Sequence, residues 1–249
     1  MSTGQHRAWL ATWLQGRRRR RVAASVVPEP APEPSGLLAA LLGYFNLDEA
    51  GDYDDALDAA GGVGALVVTN SLVPAAVGPG LHGARDFTSG GSLQVENFAA
   101  VTQAPFTLNL WVKQNSDGGQ YPVDCRGDGG YGLAVFLATD GMFVDFGVYD
   151  PDYHGTNPVF GEWYAGDWMM FTFVWAETSY EIYHNGALIG SDTHSAGAFG
   201  AEYQTFTLSA PGLPLNGAMA LVGLWERALS GAEVEQLYNG GDGLSFAEL

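Results

Sequence analysis

The chain has 249 residues, a formal net charge of −18 at pH 7, 35 glycines and one cysteine. This length suits one large all-β domain, and the lone Cys125 excludes an intrachain disulfide, so we interpret it as a buried, unreactive thiol. No run of 18 apolar residues occurs, so no membrane-spanning helix is predicted.

Charge divides the chain into two unequal parts. Six of the ten basic residues lie within the first 21 positions, whereas the part from Gly36 onward holds 26 acidic and 4 basic residues, a charge of −22. Such a body is expected to repel nucleic acid and anionic membranes. The basic residues at one end therefore need a separate explanation.

Residues 1–21 are predicted to form a basic amphipathic anchor segment. An apolar stripe at helical spacing precedes an arginine block; the anchoring residues are Trp9, Leu10, Trp13, Leu14, Arg17, Arg18, Arg19, Arg20 and Arg21. An isolated helix this short is marginal in water, so we expect it to fold on a partner. A protein groove with an acidic rim uses both the stripe and the charge, whereas nucleic acid uses the charge alone and an anionic membrane is an unexpected target for a chain with no predicted export signal. The alternative is a disordered basic tail.

Residues 22–35 read as a linker rich in proline and glutamate. The run "VVPEPAPEP" favours polyproline II and predicts a semi-rigid spacer. The apolar stretch 22–27 is too short for the apolar region of a signal peptide before Pro28 interrupts it. We therefore expect no export by a recognisable signal.

The body, residues 36–249, reads as short strands separated by glycine-rich turns. Four runs are rich in aromatic and β-branched residues and are predicted strands: "FTLNLWVKQ" (106–114), "YGLAVFLAT" (131–139), "MFVDFGVYD" (142–150) and "WMMFTFVWA" (168–176). Apolar and polar residues alternate in the first, which predicts a sheet with one buried face. "TDG" at 139–141 and Asn185-Gly186 predict tight hairpin turns, the second of type I′.

One helix is predicted near the C-terminus. Ser230 and Glu233 have the spacing of a capping box, and an apolar stripe follows them. Leu229 is placed to pack against Val234, and Gly240 or Gly241 is expected to end the helix in the left-handed conformation. The sequence thus predicts a two-turn helix attached to a β-sandwich.

Six segments carry a family resemblance. In chain order they are "LLGYFNLDEAGDYDDALDAAGG", "GARDFTSGGSLQVEN", "APFTLNLWVKQ", "GDWMMFTFVW", "YEIYHNGALIGS" and "LNGAMALVGLWERALSGAEVEQLYNGG". Together they cover most of 43–240 and resemble the laminin G-like branch of the concanavalin A-like lectin/glucanase domains. The resemblance implies an all-β fold, an antiparallel jelly-roll sandwich with one short C-terminal helix. The closing segment also resembles domains carried by bacteriophage structural proteins.

Catalytic chemistry finds little support in the residues. The glucanase branch of this family carries Glu, Asp and Glu at alternate strand positions, and no such series occurs here; the lone Glu181 reads as a solvent-facing strand residue. Arg126-Gly127-Asp128 reads as a plain turn. The sequence therefore predicts a protein that is not an enzyme.

Calcium is an open question at the sequence level. The loops 48–55 and 150–157 are rich in oxygen ligands, and calcium sites are frequent in the family, but neither loop fixes ligand positions. The alternative is that these acidic residues serve solubility.

A long connection, 148–168, is the predicted ligand-binding site. Its aromatic and polar residues could line a sugar-binding rim or cap the edge of the sandwich. The candidate ligand-binding residues are Tyr149, Asp150, Asp152, Tyr153, His154, Asn157, Trp163 and Tyr164.

Two functional hypotheses follow. The first is a virion structural protein, a capsid decoration, head fibre or tail component, whose N-terminal segment binds a capsid or tail protein and whose lectin-like domain binds host glycans. The second is a cellular carbohydrate-binding or adhesion module, located outside the cell or on its surface. In either setting we expect several copies, as a homo-oligomer or in a particle.

Overall fold

The computed structural model describes most of the body. The described residues are 36–51, 54–69, 73–75, 77–96, 98, 105–116, 118–125, 133–137, 148–150, 152–154, 166–193 and 205–249. The predicted anchor and linker, residues 1–35, lie outside this set, as does the predicted turn at 139–141.

Antiparallel strands dominate the described residues. They are β1 Leu41–Phe45, β2 Val67–Val68, β3 Val73–Ala75, β4 Ala84–Asp86, β5 Leu93–Glu96, β6 Phe106–Gln114, β7 Gln120–Asp124, β8 Ala134–Leu137, β9 Val148–Asp150, β10 Asp152–His154, β11 Trp168–Trp175, β12 Ser179–His184, β13 Ala187–Thr193, β14 Thr205–Leu208 and β15 Gly217–Trp225. One α-helix, α1, spans Gly231–Tyr238, and short 3-10 turns occupy Gly36–Leu38, Pro79–Leu81, Asn239–Gly241 and Phe246–Glu248. None of the helices in these ranges has the length and apolar character that a membrane crossing requires.

The strands form two main sheets. The larger has eight strands in the order β13-β12-β11-β6-β15-β4-β3, and β1 pairs with β15 beside β4. The smaller has five strands in the order β2-β5-β14-β7-β8, and β9 and β10 form a separate hairpin. The main core lies between the two sheets and includes Leu108 and Leu110 of β6, Phe171 of β11, and Phe206 and Leu208 of β14. The predicted jelly-roll sandwich with one short C-terminal helix is confirmed.

The strand predictions are confirmed where the structure describes them. β6 and β11 occupy the predicted runs, and β8 and β9 are the described parts of the other two. At the β12–β13 turn, Asn185 and Gly186 have φ values of 51° and 78°, as a type I′ turn requires.

The outer face of the larger sheet is also buried at its central strand β6, so the prediction of one solvent-facing side for this strand was wrong. Thr107, Asn109 and Trp111 of β6 are at most 1% exposed. Helix α1 and the terminal segments cover this face: Trp111 stacks on Tyr238 with the ring centroids 5.7 Å apart, and Leu237 joins the same apolar cluster. Burial on both faces explains why β6, β11 and β15 contain so few charged residues.

Hydrogen bonds satisfy the polar side chains under this cover. Thr172 donates to the Asn109 side-chain oxygen at 2.7 Å. Thr107 donates to the carbonyl of Arg227 at 2.8 Å and accepts from the backbone N–H of Leu229 at 3.0 Å. Because buried polar groups are costly without partners, these bonds fix where the segment before α1 crosses the sheet.

The helix begins as predicted and ends one residue earlier than predicted. Ser230 and Glu233 form the capping box. The left-handed residue that ends the helix is Asn239, with φ 47°, rather than Gly240 or Gly241, which follow it with positive φ values as well. Asparagine tolerates this conformation better than most residues with a side chain, so ending the helix at Asn239 costs little free energy.

Arg227 ties the first described residues to the start of the helix. Its guanidinium donates to the carbonyls of Gly36 and Ala39, each at 2.8 Å, and to both carboxylate oxygens of Glu233 at 2.5 and 3.0 Å. Trp225 adds a bond from its indole N–H to the carbonyl of Leu37 at 2.6 Å. The body is thus closed upon itself from Gly36 onward.

We predict that a chain shortened to residues 36–249 folds on its own, because these closing contacts all lie within it. Circular dichroism should show a β-rich spectrum and one cooperative melting transition. A spectrum typical of an unfolded chain would contradict the prediction and would mean that residues 1–35 contribute to folding.

Candidate functional site

The outer face of the five-stranded sheet carries a row of polar side chains. Along β14, Phe206 and Leu208 lie in the core, so Thr207 between them lies on the outer face. The strand register places Thr207 between Gln94 of β5 and Asp124 of β7. Gln94 and Asp124 are half-buried, whereas Thr207 between them is buried, at 6% exposure.

This row continues along the sheet in one direction. Glu96 of β5 pairs with Thr205 of β14, two residues from the Gln94–Thr207 pair and therefore on the same face. Glu96 is exposed and Thr205 is half-buried. The face thus presents an amide, two carboxylates and the hydroxyl of Thr205, and the Thr207 hydroxyl lies beneath them.

Two aromatic rings lie at the other end of the same face. Val135 and Leu137 of β8 lie in the core, so Phe136 lies outside, where its ring is 4.7 Å from that of Tyr121 at an interplanar angle of 42°. Gly119 makes room for this pair, because a Cβ atom there would lie 2.8 Å from the Phe136 ring. Both rings are half-buried.

We call this surface the sheet face. Its members are Gln94, Glu96, Tyr121, Asp124, Phe136, Thr205 and Thr207. Aromatic rings offer a flat apolar contact, the neighbouring amide and hydroxyl groups donate and accept hydrogen bonds, and the carboxylates accept them. The arrangement suits a flat ligand that has apolar faces and a hydroxyl-rich edge.

The predicted ligand-binding residues fall partly on the β9–β10 hairpin. The hairpin register pairs Tyr149 with Tyr153, Asp150 with Asp152 and Val148 with His154. The connection therefore contains two paired strands rather than a plain loop. Asn157, Trp163 and Tyr164 lie outside the described residues, and ligand binding at this hairpin stays a prediction. The anchoring residues between Trp9 and Arg21 also lie outside, and their role stays a prediction too.

Acidic side chains in the first acidic loop, 48–55, and just after it accept hydrogen bonds from nearby backbone groups. Glu49 accepts a backbone hydrogen bond at 2.8 Å and Asp54 accepts one at 2.7 Å. Asp58 accepts four, from the N–H groups of Tyr44, Ala60, Val63 and Gly64. Across the described ranges, no three His, Cys, Asp or Glu side chains are grouped closely enough to hold a metal ion. Calcium binding stays a prediction, since much of the loop 150–157 lies outside those ranges.

Cys125 is buried in the main core and 3% exposed. Burial, with a smaller contribution from the nearby Asp124 carboxylate, raises the pKa of its thiol. Because the thiolate is the reactive form, this cysteine is inert at neutral pH, as the sequence predicts.

A family model identifies the chain. Residues 87–235 match the model described as the concanavalin A-like lectin/glucanases superfamily, and this match covers more than half of the sequence. The protein belongs to this superfamily, which confirms the resemblance seen in the sequence at the level of the fold. None of the curated proteins is significantly similar in sequence.

Solved structures share the fold at low sequence identity. Domain 4 of AbnA, an extracellular arabinanase from Geobacillus stearothermophilus solved with arabinotriose, is 17% identical with a TM-score of 0.58; the match covers 79% of this chain and 97% of that domain. The receptor-binding domain of botulinum neurotoxin C/D mosaic serotype is 13% identical with a TM-score of 0.62, over 81% of this chain and 51% of that one. The binding domain of botulinum neurotoxin DC, solved with SialylT, is 12% identical with a TM-score of 0.59, over 82% of this chain and 52% of that one. This protein therefore spans about half the length of the toxin domains that it matches.

Proposed function

We propose that the body is a non-enzymatic glycan-binding module whose binding surface is the sheet face. The observation that carries the proposal is the Tyr121–Phe136 ring pair beside the Gln94–Thr207–Asp124 row. The arabinanase domain supports the proposal, because that domain was solved with arabinotriose and 97% of its length matches this protein.

The chemistry of the sheet face fits a sugar. The apolar side of a pyranose or furanose ring packs on an aromatic ring, and its hydroxyls need paired donors and acceptors. Asp124 offers acceptors, and the Gln94 amide offers both a donor and an acceptor on the neighbouring side of Thr207. Ring contact supplies affinity and the polar row selects among hydroxyl arrangements.

Glycan binding is tested first with arabinotriose by calorimetry and then on a glycan array. We expect Tyr121→Ala with Phe136→Ala, or Asp124→Ala alone, to abolish binding while circular dichroism stays unchanged. Leu57→Ala is the matched control, because Leu57 is 63% exposed and lies outside the sheet face. Repeating the measurement with a calcium chelator tests the metal prediction.

A second pair of variants tests the hairpin site. If Tyr153→Ala with Trp163→Ala abolishes binding and the sheet-face variants retain it, the ligand sits at the predicted 148–168 site and the sheet-face proposal is wrong. Failure of every glycan to bind would overturn the glycan-binding proposal itself.

The proposal also holds that the body does not hydrolyse glycans. On the sheet face, Glu96 and Asp124 lie on strands separated by β14 and are offset by two residues in register. Neither belongs to the alternating Glu, Asp and Glu series of the glucanase branch, which this sequence lacks. We predict that the purified protein releases no reducing sugar from arabinan or β-glucan; release that a single Asp or Glu substitution abolishes would contradict this.

We further propose that the module is displayed on a phage particle and that residues 1–21 bind its shell or tail protein. The support is the sequence layout of a basic amphipathic segment, a stiff linker and an acidic body. We expect Arg17–Arg21 replaced by Ser, and Trp9→Ala with Trp13→Ala, each to prevent incorporation into particles while the body stays folded. Full incorporation of both variants would refute the anchor. A gene neighbourhood for polysaccharide degradation would instead favour the cellular module.

A further inference from the structure

Strand β13 is an unusually open edge of the larger sheet. It is seven residues long, and among the strands that the structure describes it pairs with β12 alone. All of its residues except Gly190 are exposed, including Leu188 at 53% and Ile189 at 36%. An edge strand in this state presents unpaired backbone N–H and C=O groups to any strand that can align with it.

The other sheet edges in the described parts of the chain are protected or short. β3 has three residues with Pro74 at its centre, and proline cannot donate to a partner strand. β2 has two residues and β8 has four. β13 contains neither proline nor lysine. The features of this strand that oppose pairing with another chain are Asp192 and a bulge at Ile189, where the register with β12 shifts.

The edge is held firmly in place rather than frayed. Asn185 in the β12–β13 turn exchanges bonds with Met170 of β11: its side-chain oxygen and its backbone N–H each make a contact of 2.9 Å. Tyr238 of α1 packs over Gly186, where a Cβ atom would lie 3.1 Å from the tyrosine. A strand fixed in this way loses little conformational entropy when it acquires a partner.

We propose that β13 pairs antiparallel with β13 of a second copy, across a two-fold axis at Gly190. Two copies of the larger sheet then become one continuous sheet. In this register Leu188 lies opposite Asp192 of the partner, and Ile189 lies opposite the partner's Ser191. The single charge of the strand never faces itself, and the residue on the axis has no side chain to obstruct close approach.

The second copy is the occupant that the strand itself favours. A two-fold interface needs a patch that is complementary to itself, and the Gly190 register supplies one. The opposing force is the repulsion between two bodies of −22 each. That repulsion acts at long range and is screened by salt, whereas strand pairing acts at contact. Dimerisation should therefore strengthen as the salt concentration rises, which is the reverse of what a basic protein partner would show.

The test is sedimentation of the full chain over a wide range of protein concentration, at low and at high salt. We expect a dimer whose dissociation constant falls with salt. Leu188→Asp should give a monomer with an unchanged melting temperature, because each new carboxylate faces Asp192 of the other copy across the pairing. Val77→Asp, at a residue 53% exposed outside β13, is the charge control and should leave the dimer intact.

A cross-link tests the axis. Gly190→Cys places two thiols opposite each other, at a Cα separation of about 4.5–5.5 Å that a disulfide can bridge. Mild oxidation should give a covalent dimer, whereas Thr193→Cys, opposite Ala187 of the partner, should not. A chain that is monomeric at every salt concentration, or a dimer that survives the Leu188→Asp change, would overturn the proposal. Neither outcome affects the glycan-binding proposal, which concerns the other sheet.

Discussion

Replacing Glu49 with Ala is expected to lower the free energy of unfolding by about 3–5 kcal/mol. Glu49 faces Arg85, which is 0% exposed on β4, with the carboxylate oxygen 3.6 Å from the guanidinium. The arginine also donates to the carbonyl of Asp54 at 2.9 Å. Among the described residues Glu49 is the carboxylate that pairs with this guanidinium, so its removal leaves a buried positive charge without its counter-charge.

Removing one partner of a buried ion pair costs much more stability than replacing both partners, and a double variant tests this difference. Arg85→Met combined with Glu49→Leu removes both charges and should recover most of the lost stability, because apolar pairs of similar volume replace buried ion pairs at little cost. Urea unfolding of both variants measures the difference, with Glu235→Ala on the exposed face of α1 as the control. A loss in Glu49→Ala no larger than the loss in the control would mean that the pair contributes nothing.

Arg227→Met is expected to lower the free energy of unfolding by about 2–3 kcal/mol. The change removes the paired bonds to Glu233 and the bonds to the carbonyls of Gly36 and Ala39 at once. Arg227→Lys should recover only part of this loss, since an ammonium group cannot make the same two parallel bonds to a carboxylate. Urea unfolding checks both variants, and equal stability of Arg227→Lys and the wild type would contradict the geometric argument.

The same contact predicts a dependence on pH. The hydrogen bonds from Arg227, followed by those from Ser230, hold the pKa of Glu233 at about 2, below its usual value of 4.5. A carboxyl group whose pKa is lowered by folding contributes stability above the unfolded pKa and loses it as the pH falls through the folded pKa. The wild type should therefore lose this contribution between pH 4.5 and about 2, and Glu233→Gln should show a smaller loss over that range.

Local features of the fold followed from the sequence alone. The type I′ turn at Asn185-Gly186, the capping box at Ser230 and Glu233, and the bounds of β6 all depend on residues close together in the chain. Turn and cap geometry are decided by neighbouring φ angles and by side chains within three residues. For this reason they could be predicted before any tertiary contact was known.

Burial of the larger sheet could not be predicted in the same way. Thr107 and Asn109 alternate with leucines, a pattern typical of a solvent-facing strand side, yet both are buried because α1 and the chain ends pack over them. The hydroxyl of Thr107 meets a carbonyl 120 positions away in sequence. The alternation along the strand shows only which residues are polar, not whether they are exposed. Here the polar side chains have hydrogen-bond partners inside the protein instead of in water.

The sequence by itself determined the family, the antiparallel strands, the acidic body and the short capped helix. Only the tertiary structure assembled the sheet face, since Gln94, Thr207 and Asp124 become neighbours through the strand order β5-β14-β7, which does not follow the chain. It alone paired Arg85 with Glu49 as well. The physical reason is the same in both cases: local propensities set each strand, but long-range pairing, driven by burial of the core faces, decides which outward residues meet.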